Sequence, residues 1–351
     1  TGANSSSYSL YMWGGGGGAG GGPSPTPHQG RGGPGGTGGF GFLGSRLAEH
    51  FIAQDHNVTL ASRSSRKLTG NLSGVKFFKV NWGDKKNINE MVDSQDVVIH
   101  AAGINAKKCL DDPHKANSFN KNATEKLAKA AENSGVKNFF LLSTIHVYGN
   151  QLKGLITEES KTFNIHPYAS SNLAGEKFIN KIDSSSKMKA IVLRLANNFG
   201  YPAFPNNDCW SLVINDLCLQ AIAKQEMVIN GSGADFRDFF PIEILCNIFD
   251  DFLVNETSCF DRSIYNICSS KSVSIKGVAE KIQFLCQKEF NFKPSIIIKK
   301  SLDEELVPSF TIKSCLQNLS KYNFDKLFNE ELLNLLKFCQ LNKEYLNQSI
   351  S

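Results

Sequence analysis

No apolar stretch in this sequence approaches the ~18 residues of a membrane-spanning helix, and no charged segment leads into an apolar one as in a secretory signal. Membrane insertion is therefore not expected. Runs of Lys or Arg are missing too. The 38 basic and 33 acidic residues leave a net charge of +5 spread along 351 positions, without the basic stripe of a nucleic-acid face. The nine cysteines, an odd number scattered from Cys109 to Cys339, contain no Cys-x-x-Cys pair. That argues against a disulfide frame or a zinc site and for reduced thiols in a cytoplasmic protein. What is plentiful is core-forming material: hydrophobic residues are 41% and charged residues 20%, a globular balance. At roughly 100–200 residues per domain, the length suggests two domains or one elaborated one.

Residues 1–36 differ in kind. They hold 14 of the 30 glycines and 4 of the 11 prolines, a composition that loses too much backbone entropy on ordering to pack. The segment reads as a disordered tail, native or foreign, in a chain that begins at Thr1 rather than Met. From Thr37 onward strand and helix alternate. Helices are expected over 43–53, 120–134 and 168–182, and strands over 58–61, 75–80, 96–102, 136–143 and 190–195. This predicts an α/β fold, a parallel sheet covered on both faces. Its main domain runs over 37–200; a smaller lobe, 201–351, sends one segment back to the sheet.

Thr37-Gly38-Gly39-Phe40-Gly41-Phe42-Leu43-Gly44 opens the first of these helices. Gly38 permits a sharp turn, Gly41 lets backbone approach a pyrophosphate, and Gly44 allows close packing of helix on sheet. The backbone of Gly41, Phe42, Leu43 and Gly44 then offers N–H groups to a dinucleotide. A glycine-rich linker would look similar, but the residues downstream favour a cofactor. Where an acidic residue would bond the ribose 2′-hydroxyl of NAD, eighteen residues past Gly44, stands Ser62 followed by Arg63. Without a carboxylate to repel it, a 2′-phosphate can be gripped by the guanidinium, so NADP is favoured over NAD.

Further motifs follow in order: Asn81-Trp82, His100-Ala101-Ala102-Gly103, Asn120 to Thr124, Leu142 to Gly149 and Pro167 to Glu176. With the glycine turn, they make residues 37–300 resemble the extended short-chain dehydrogenase/reductase family of sugar-nucleotide epimerases, dehydratases and reductases. The resemblance implies a Rossmann-type doubly wound sheet and a C-terminal substrate lobe. It implies NAD(P)-dependent transient hydride transfer on a nucleotide-activated sugar. It also places Asn81 and Trp82 beside the adenine, Ala101 and Ala102 at a strand end beside the cofactor, and Asn120 among the residues that organise the active site.

In that family a Tyr is the general acid/base, a Ser or Thr bonds the reacting oxygen, and a Lys four residues after the Tyr holds the nicotinamide ribose. The matching positions are Tyr168, Thr144 and Asn172; the Lys is absent. Positions i and i+4 share a helix face. A cation ~4 Å from a phenol at an effective dielectric of ~20 is worth about 4 kcal/mol, enough to bring a tyrosine from ~10 toward ~7. Asn172 supplies no such charge, and Lys177 and Lys181 fall on other faces of the helix. The expected activity is therefore weakened. The alternative is a non-catalytic dinucleotide-binding sensor or scaffold of the same fold. His146, near the catalytic Thr, reads as a surface or packing residue.

By the same resemblance Asn197 and Arg237 approach the sugar-nucleotide phosphates, although a structural salt bridge from Arg237 to Asp238 or a neighbour is the alternative. Cys209 to Cys218 reads as a helix capping the cleft, and helices 120–134 and 168–182 as a homodimer interface. One feature conflicts with the fold. The first, central strand should feed the glycine turn directly, yet Gly32-Gly33-Pro34-Gly35-Gly36 stands there, and Pro and Gly are poor central-strand residues. Either Tyr8 to Trp13 reaches back across 23 residues, or the strand has been lost from this chain. Loss is the expectation, and with it poor folding or weak cofactor binding.

Overall fold

The computed structural model describes residues 8–14, 40–63, 68, 70–101, 103, 106–149, 152–183, 186–255, 261–299 and 310–350. Its first strand, β1, is Ser9–Gly14, followed by helix α1 at Phe42–Ile52. Next come β2 (Asn57–Ser62), β3 (Lys76–Lys79), α2 (Lys85–Val92) and β4 (Val97–Ala101). Two helices, α3 (Ala106–Asp111) and α4 (Pro113–Asn133), lead to β5 (Asn138–Thr144). After the short β6 (Gly154–Ile156) come α5 (Pro167–Asp183), β7 (Lys189–Leu195) and β8 (Asn197–Phe199). The last part holds α6 (Val213–Lys224), β9 (Glu226–Asn230), β10 (Phe236–Pro241), α7 (Ile242–Asn255) and β11 (Ile264–Ile267). It closes with β12 (Ser272–Ser274), α8 (Ile275–Phe290), β13 (Ser295–Lys299), β14 (Phe310–Ile312), α9 (Phe324–Leu341) and α10 (Lys343–Ile350).

Seven strands form one sheet in the order β11-β7-β5-β4-β1-β2-β3, and every neighbouring pair is parallel. The apolar runs read in the sequence split by the two-residue period of a strand. Val97, Ile99, Phe140, Leu142, Ile191 and Leu193 enter the core on one face. Val98, Phe139, Leu141, Ala190 and Val192 enter the core on the other. Both faces are thus covered, as a parallel sheet requires. A third core, with Leu217, Ile282 and Leu332, belongs to α6, α8 and α9, while β11 carries the C-terminal part back to the sheet edge.

The first strand is present. Leu10 lies beside Val58 of β2 and Val97 of β4, and Leu10 and Met12 are wholly buried. The Ser9 N–H donates to the Asp96 carboxylate at 3.0 Å, and the Tyr8 hydroxyl to the Leu253 carbonyl at 3.1 Å. The expected loss of this strand is therefore corrected: the upstream segment fills the slot. The physical reason is the balance of two terms. Closing a longer loop costs only about 0.6 kcal/mol per doubling of its length, whereas each buried backbone group left unpaired on β2 or β4 would cost ~1–3 kcal/mol. Ser9 to Gly14 are accordingly not part of a disordered tail, and the central slot whose emptiness would have meant poor folding is filled.

Among the described residues no helix is long and apolar enough to cross a membrane, and eight cysteines are free thiols.

Candidate active site

The strand order reverses between β1 and β4, so their C-terminal ends border the crevice where open α/β sheets bind ligands. Helix α1 starts beside it. Its N-cap, Gly41, offers no side chain to cap the first turn, which also carries no acidic residue. Ser45 turns its own N–H and hydroxyl back to the Gly41 carbonyl, at 3.0 and 2.8 Å. Phe42 and Leu43 bury their side chains in the core. Backbone donors at Phe42, Leu43 and Gly44, a positive helix end and no competing carboxylate together fit a dinucleotide phosphate. Gly38 and Ala102 lie outside the described residues; Ala101 ends β4, buried.

At the end of β2, Ser62 is buried and Arg63 exposed. The Arg63 guanidinium lies over the Phe119 ring, 5.0 Å from its centroid. Phe119 meets Trp82 edge to face, at 6.0 Å and 84°. Asn81 is occupied in shaping the turn into α2: its Oδ1 accepts from the Gly83 N–H at 3.0 Å and its N–H donates to Asn87 Oδ1 at 2.8 Å. The structure thus gathers Arg63 and Trp82 about Phe119, a residue the sequence reading missed. Its only signal was an aromatic next to Asn120.

Thr144 is the last residue of β5 and fully buried. Its Oγ1 accepts from the His146 N–H at 3.2 Å, which starts the turn Ile145–Tyr148. Tyr168, in the first turn of α5, is half-buried, with Thr144 among the groups that act on its phenol. Burial pushes that phenol up to about 12, the Cys109 thiol adds to the rise, and Thr144 opposes it. Asn172 is half-buried and spends its Nδ2 on the Tyr168 carbonyl one turn earlier, at 2.7 Å. Lys177 and Lys181 are exposed further along α5.

Behind this pair, Asn120 is buried and donates from Nδ2 to Ser171 Oγ at 2.9 Å. Its side chain also bonds Cys109, which packs against Tyr168 and Phe119. Cys109 was not recognised as a site residue in the sequence. Burial pushes its thiol up to about 12, which keeps it protonated and unreactive.

Two histidines flank the pair. Asn164 ties them together, donating to the His146 carbonyl at 2.6 Å and accepting from the His166 N–H at 2.9 Å. His166 Nδ1 accepts from the Tyr168 N–H at 3.2 Å, so its ring proton sits on Nε2. Burial pushes His146 down to about 4, with Arg237 and His166 adding to the fall. Arg237, on β10, therefore brings the C-terminal lobe to the end of the sheet that carries Thr144 and His146. Its ion-pair partner is Asp235 at 3.9 Å, and its buried Nε has no partner. The alternative salt bridge is thus made to the neighbour Asp235 and not to Asp238, which accepts from the N–H and hydroxyl of Ser269, at 2.7 and 2.9 Å. Asn197 is buried, donates from Nδ2 to the Asp238 carbonyl at 3.1 Å and leaves Oδ1 without a partner.

A buried ion pair fixes the scaffold under these groups. Arg194 of β7 reaches Glu176 of α5 at 2.7 Å and donates to the Tyr148 hydroxyl at 2.9 Å, while Ser143 of β5 donates to Glu176. Tyr148 donates in turn to Asn266 of β11 at 2.7 Å.

An α/β sheet with a dinucleotide crevice and a Thr–Tyr pair beside it defines a class of nicotinamide-dependent enzymes. The sequence model of the NAD dependent epimerase/dehydratase family matches residues 37–268, and the chain belongs to that family. The dTDP-D-glucose 4,6-dehydratase of Dictyostelium discoideum is 24% identical over 269 residues, 70% of this chain and 60% of the relative's length. A UDP-glucose 4-epimerase from Thermotoga maritima, solved with UDP-glucose, shares the fold with a TM-score of 0.71 at 17% identity, over 88% of this chain and 97% of its own. RMD from Pseudomonas aeruginosa, solved with NADPH, has a TM-score of 0.67 at 18% identity over 96% of this chain and 100% of its own.

Proposed function

We propose that this chain binds NADP in preference to NAD and acts on a nucleotide-activated sugar by transient hydride transfer, slowed by Asn172. The observation that carries the reading is that Thr144, at the end of β5, and the Tyr168 phenol come close enough for Thr144 to act against the rise of the phenol's pKa. Backbone N–H groups from Gly41 to Gly44 would hold the phosphates, Ser62 and Arg63 the 2′-phosphate, and Asn81 and Trp82 the adenine side. Ala101 would line the wall, and Arg237 with Asn197 the sugar-nucleotide diphosphate. When bound, the nicotinamide supplies a reversible hydride acceptor. Thr144 orients the reacting hydroxyl, and Tyr168 exchanges its proton; a phenol at about 12 is almost wholly protonated at neutral pH, so the phenolate that would take a proton from an alcohol is scarce and that step is slow.

Among epimerase, dehydratase and reductase chemistries, Ile145 and His146 supply no carboxylate beside Thr144, which favours epimerisation or reduction. A second reading, a dinucleotide-binding sensor or scaffold, is favoured by one observation: the Asn172 amide is committed to its own helix. We also propose a homodimer through α4 and α5, and the free thiols support a cytoplasmic location. Calorimetric titration with NADP, NAD and UDP-glucose tests the first reading. Tighter binding of NADP than of NAD, with UDP-glucose bound in the presence of NADP, is expected; absence of any dinucleotide binding would contradict it. Sedimentation tests the dimer, which a monomer at micromolar concentration would exclude.

A further inference from the structure

Two features of the adenosine end have unequal rigidity. Arg63 follows the last residue of β2 and is exposed, and an arginine side chain has much rotamer entropy to lose when it is held. Phe119, by contrast, is fixed. It sits on the 21-residue helix α4, its edge against Trp82 at 6.0 Å and its body packed on buried Cys109. The next residue, Asn120, is tied to Ser171 of α5. The flat face of this fixed ring lies 5.0 Å from the Arg63 guanidinium carbon, within the range of cation–π attraction.

We propose that Phe119 is a positioning residue for cofactor choice: its ring holds the Arg63 guanidinium at the adenosine edge, preset to grip the 2′-phosphate of NADP. The inference rests on the NADP preference proposed above. A preset guanidinium loses less freedom on binding than a mobile one, so the benefit appears only with the ligand it grips. NAD, which lacks the 2′-phosphate, gains nothing from it. A leucine would fill the space but has no ring quadrupole to hold the cation.

Calorimetric titration of the full chain with NADP and with NAD, no sugar present, separates the possibilities in Arg63→Ala, Phe119→Leu and Phe119→Tyr. Phe119→Leu is expected to weaken NADP binding about two- to fivefold and leave NAD unchanged, while Phe119→Tyr, keeping the ring, stays at the parent values. Arg63→Ala is expected to remove the NADP preference altogether. If Arg63→Ala removes the preference but Phe119→Leu leaves it intact, or weakens both cofactors equally, the inference about Phe119 is overturned and the NADP reading survives. If Arg63→Ala leaves the preference unchanged, the NADP reading itself falls.

Discussion

A phenol with no cation beside it stays protonated, and among the described residues no cation acts on the Tyr168 phenol proposed as the acid/base. Tyr168 is raised to about 12 by burial and by Cys109, with Thr144 opposing. Restoring a cation by Asn172→Lys should bring it down toward about 9, from the roughly 4 kcal/mol such a charge is worth. Ultraviolet titration, with Tyr168→Phe identifying the band, measures this. Single-turnover formation of reduced nicotinamide from NADP and UDP-glucose should rise at least tenfold in Asn172→Lys. Unchanged rates with both ligands bound would favour the sensor reading. His100 sets a different pH dependence. Thr124 Oγ1 gives its hydrogen to the Asn120 carbonyl at 2.6 Å, so the His100 ring must donate to Thr124, at 3.0 Å, and its buried Nδ1 has no partner. Burial pushes its pKa down to about 3. A depressed imidazole contributes stability that is present above its unfolded value, ~6.5, and lost as pH falls toward the folded value. Melting temperature should therefore drop as pH falls from about 6.5 to about 4, and less steeply in His100→Gln. Equal slopes would show that other groups govern acid unfolding.

Individual elements are held by pairs that the sequence does not advertise. Glu176 and Arg194 are almost wholly buried and join α5 to β7, with Ser143 and Tyr148 as further partners. Removing one partner leaves the other charge uncompensated, so Glu176→Ala should cost about 3–5 kcal/mol in urea unfolding; a loss below about 1 kcal/mol would show that water replaces the carboxylate. Strand β1 is the other case. Leu10→Asp would set a charge into the core face of the central strand, and loss of a single cooperative melting transition is expected. A mild shift would mean that the sheet tolerates loss of β1. Helices and inner strands were legible to within a few residues because apolar spacing marks them. The N-terminal half of α4 was missed: Pro113 suits the first turn of a helix, but the apolar spacing that marks α4 begins only near Asn120. Strand β1 was misjudged because composition between Trp13 and Thr37 says little about whether two ends of a chain can meet. Motif order in the sequence singled out Thr144, Tyr168, Arg63 and Trp82, and the structure sets Arg63 and Trp82 each against Phe119. Phe119, Cys109 and Asn164 were not singled out, since their roles arise from packing across elements.

For the whole molecule, the crevice is a shared product of distant segments. β1 and α1 come from either side of residues 15–39, Arg237 comes from the C-terminal lobe, and β11 closes the sheet edge from beyond residue 260. Buried Arg46 of α1 links to Glu331 of α9 at 3.8 Å with its guanidinium 3.6 Å from the Tyr201 ring, so the helix that starts at the crevice is anchored in the lobe. Dinucleotide binding should then stabilise the molecule as a unit. The most direct test is the melting temperature with and without NADP in the parent chain and in Gly41→Asp. Aspartate is a good N-cap at this position's extended backbone, so the unliganded melting temperature should hold or rise. Its carboxylate would meanwhile repel the phosphates. The account predicts a clear NADP-induced rise in the parent and none in Gly41→Asp. The same rise in both, or none in the parent, would contradict it.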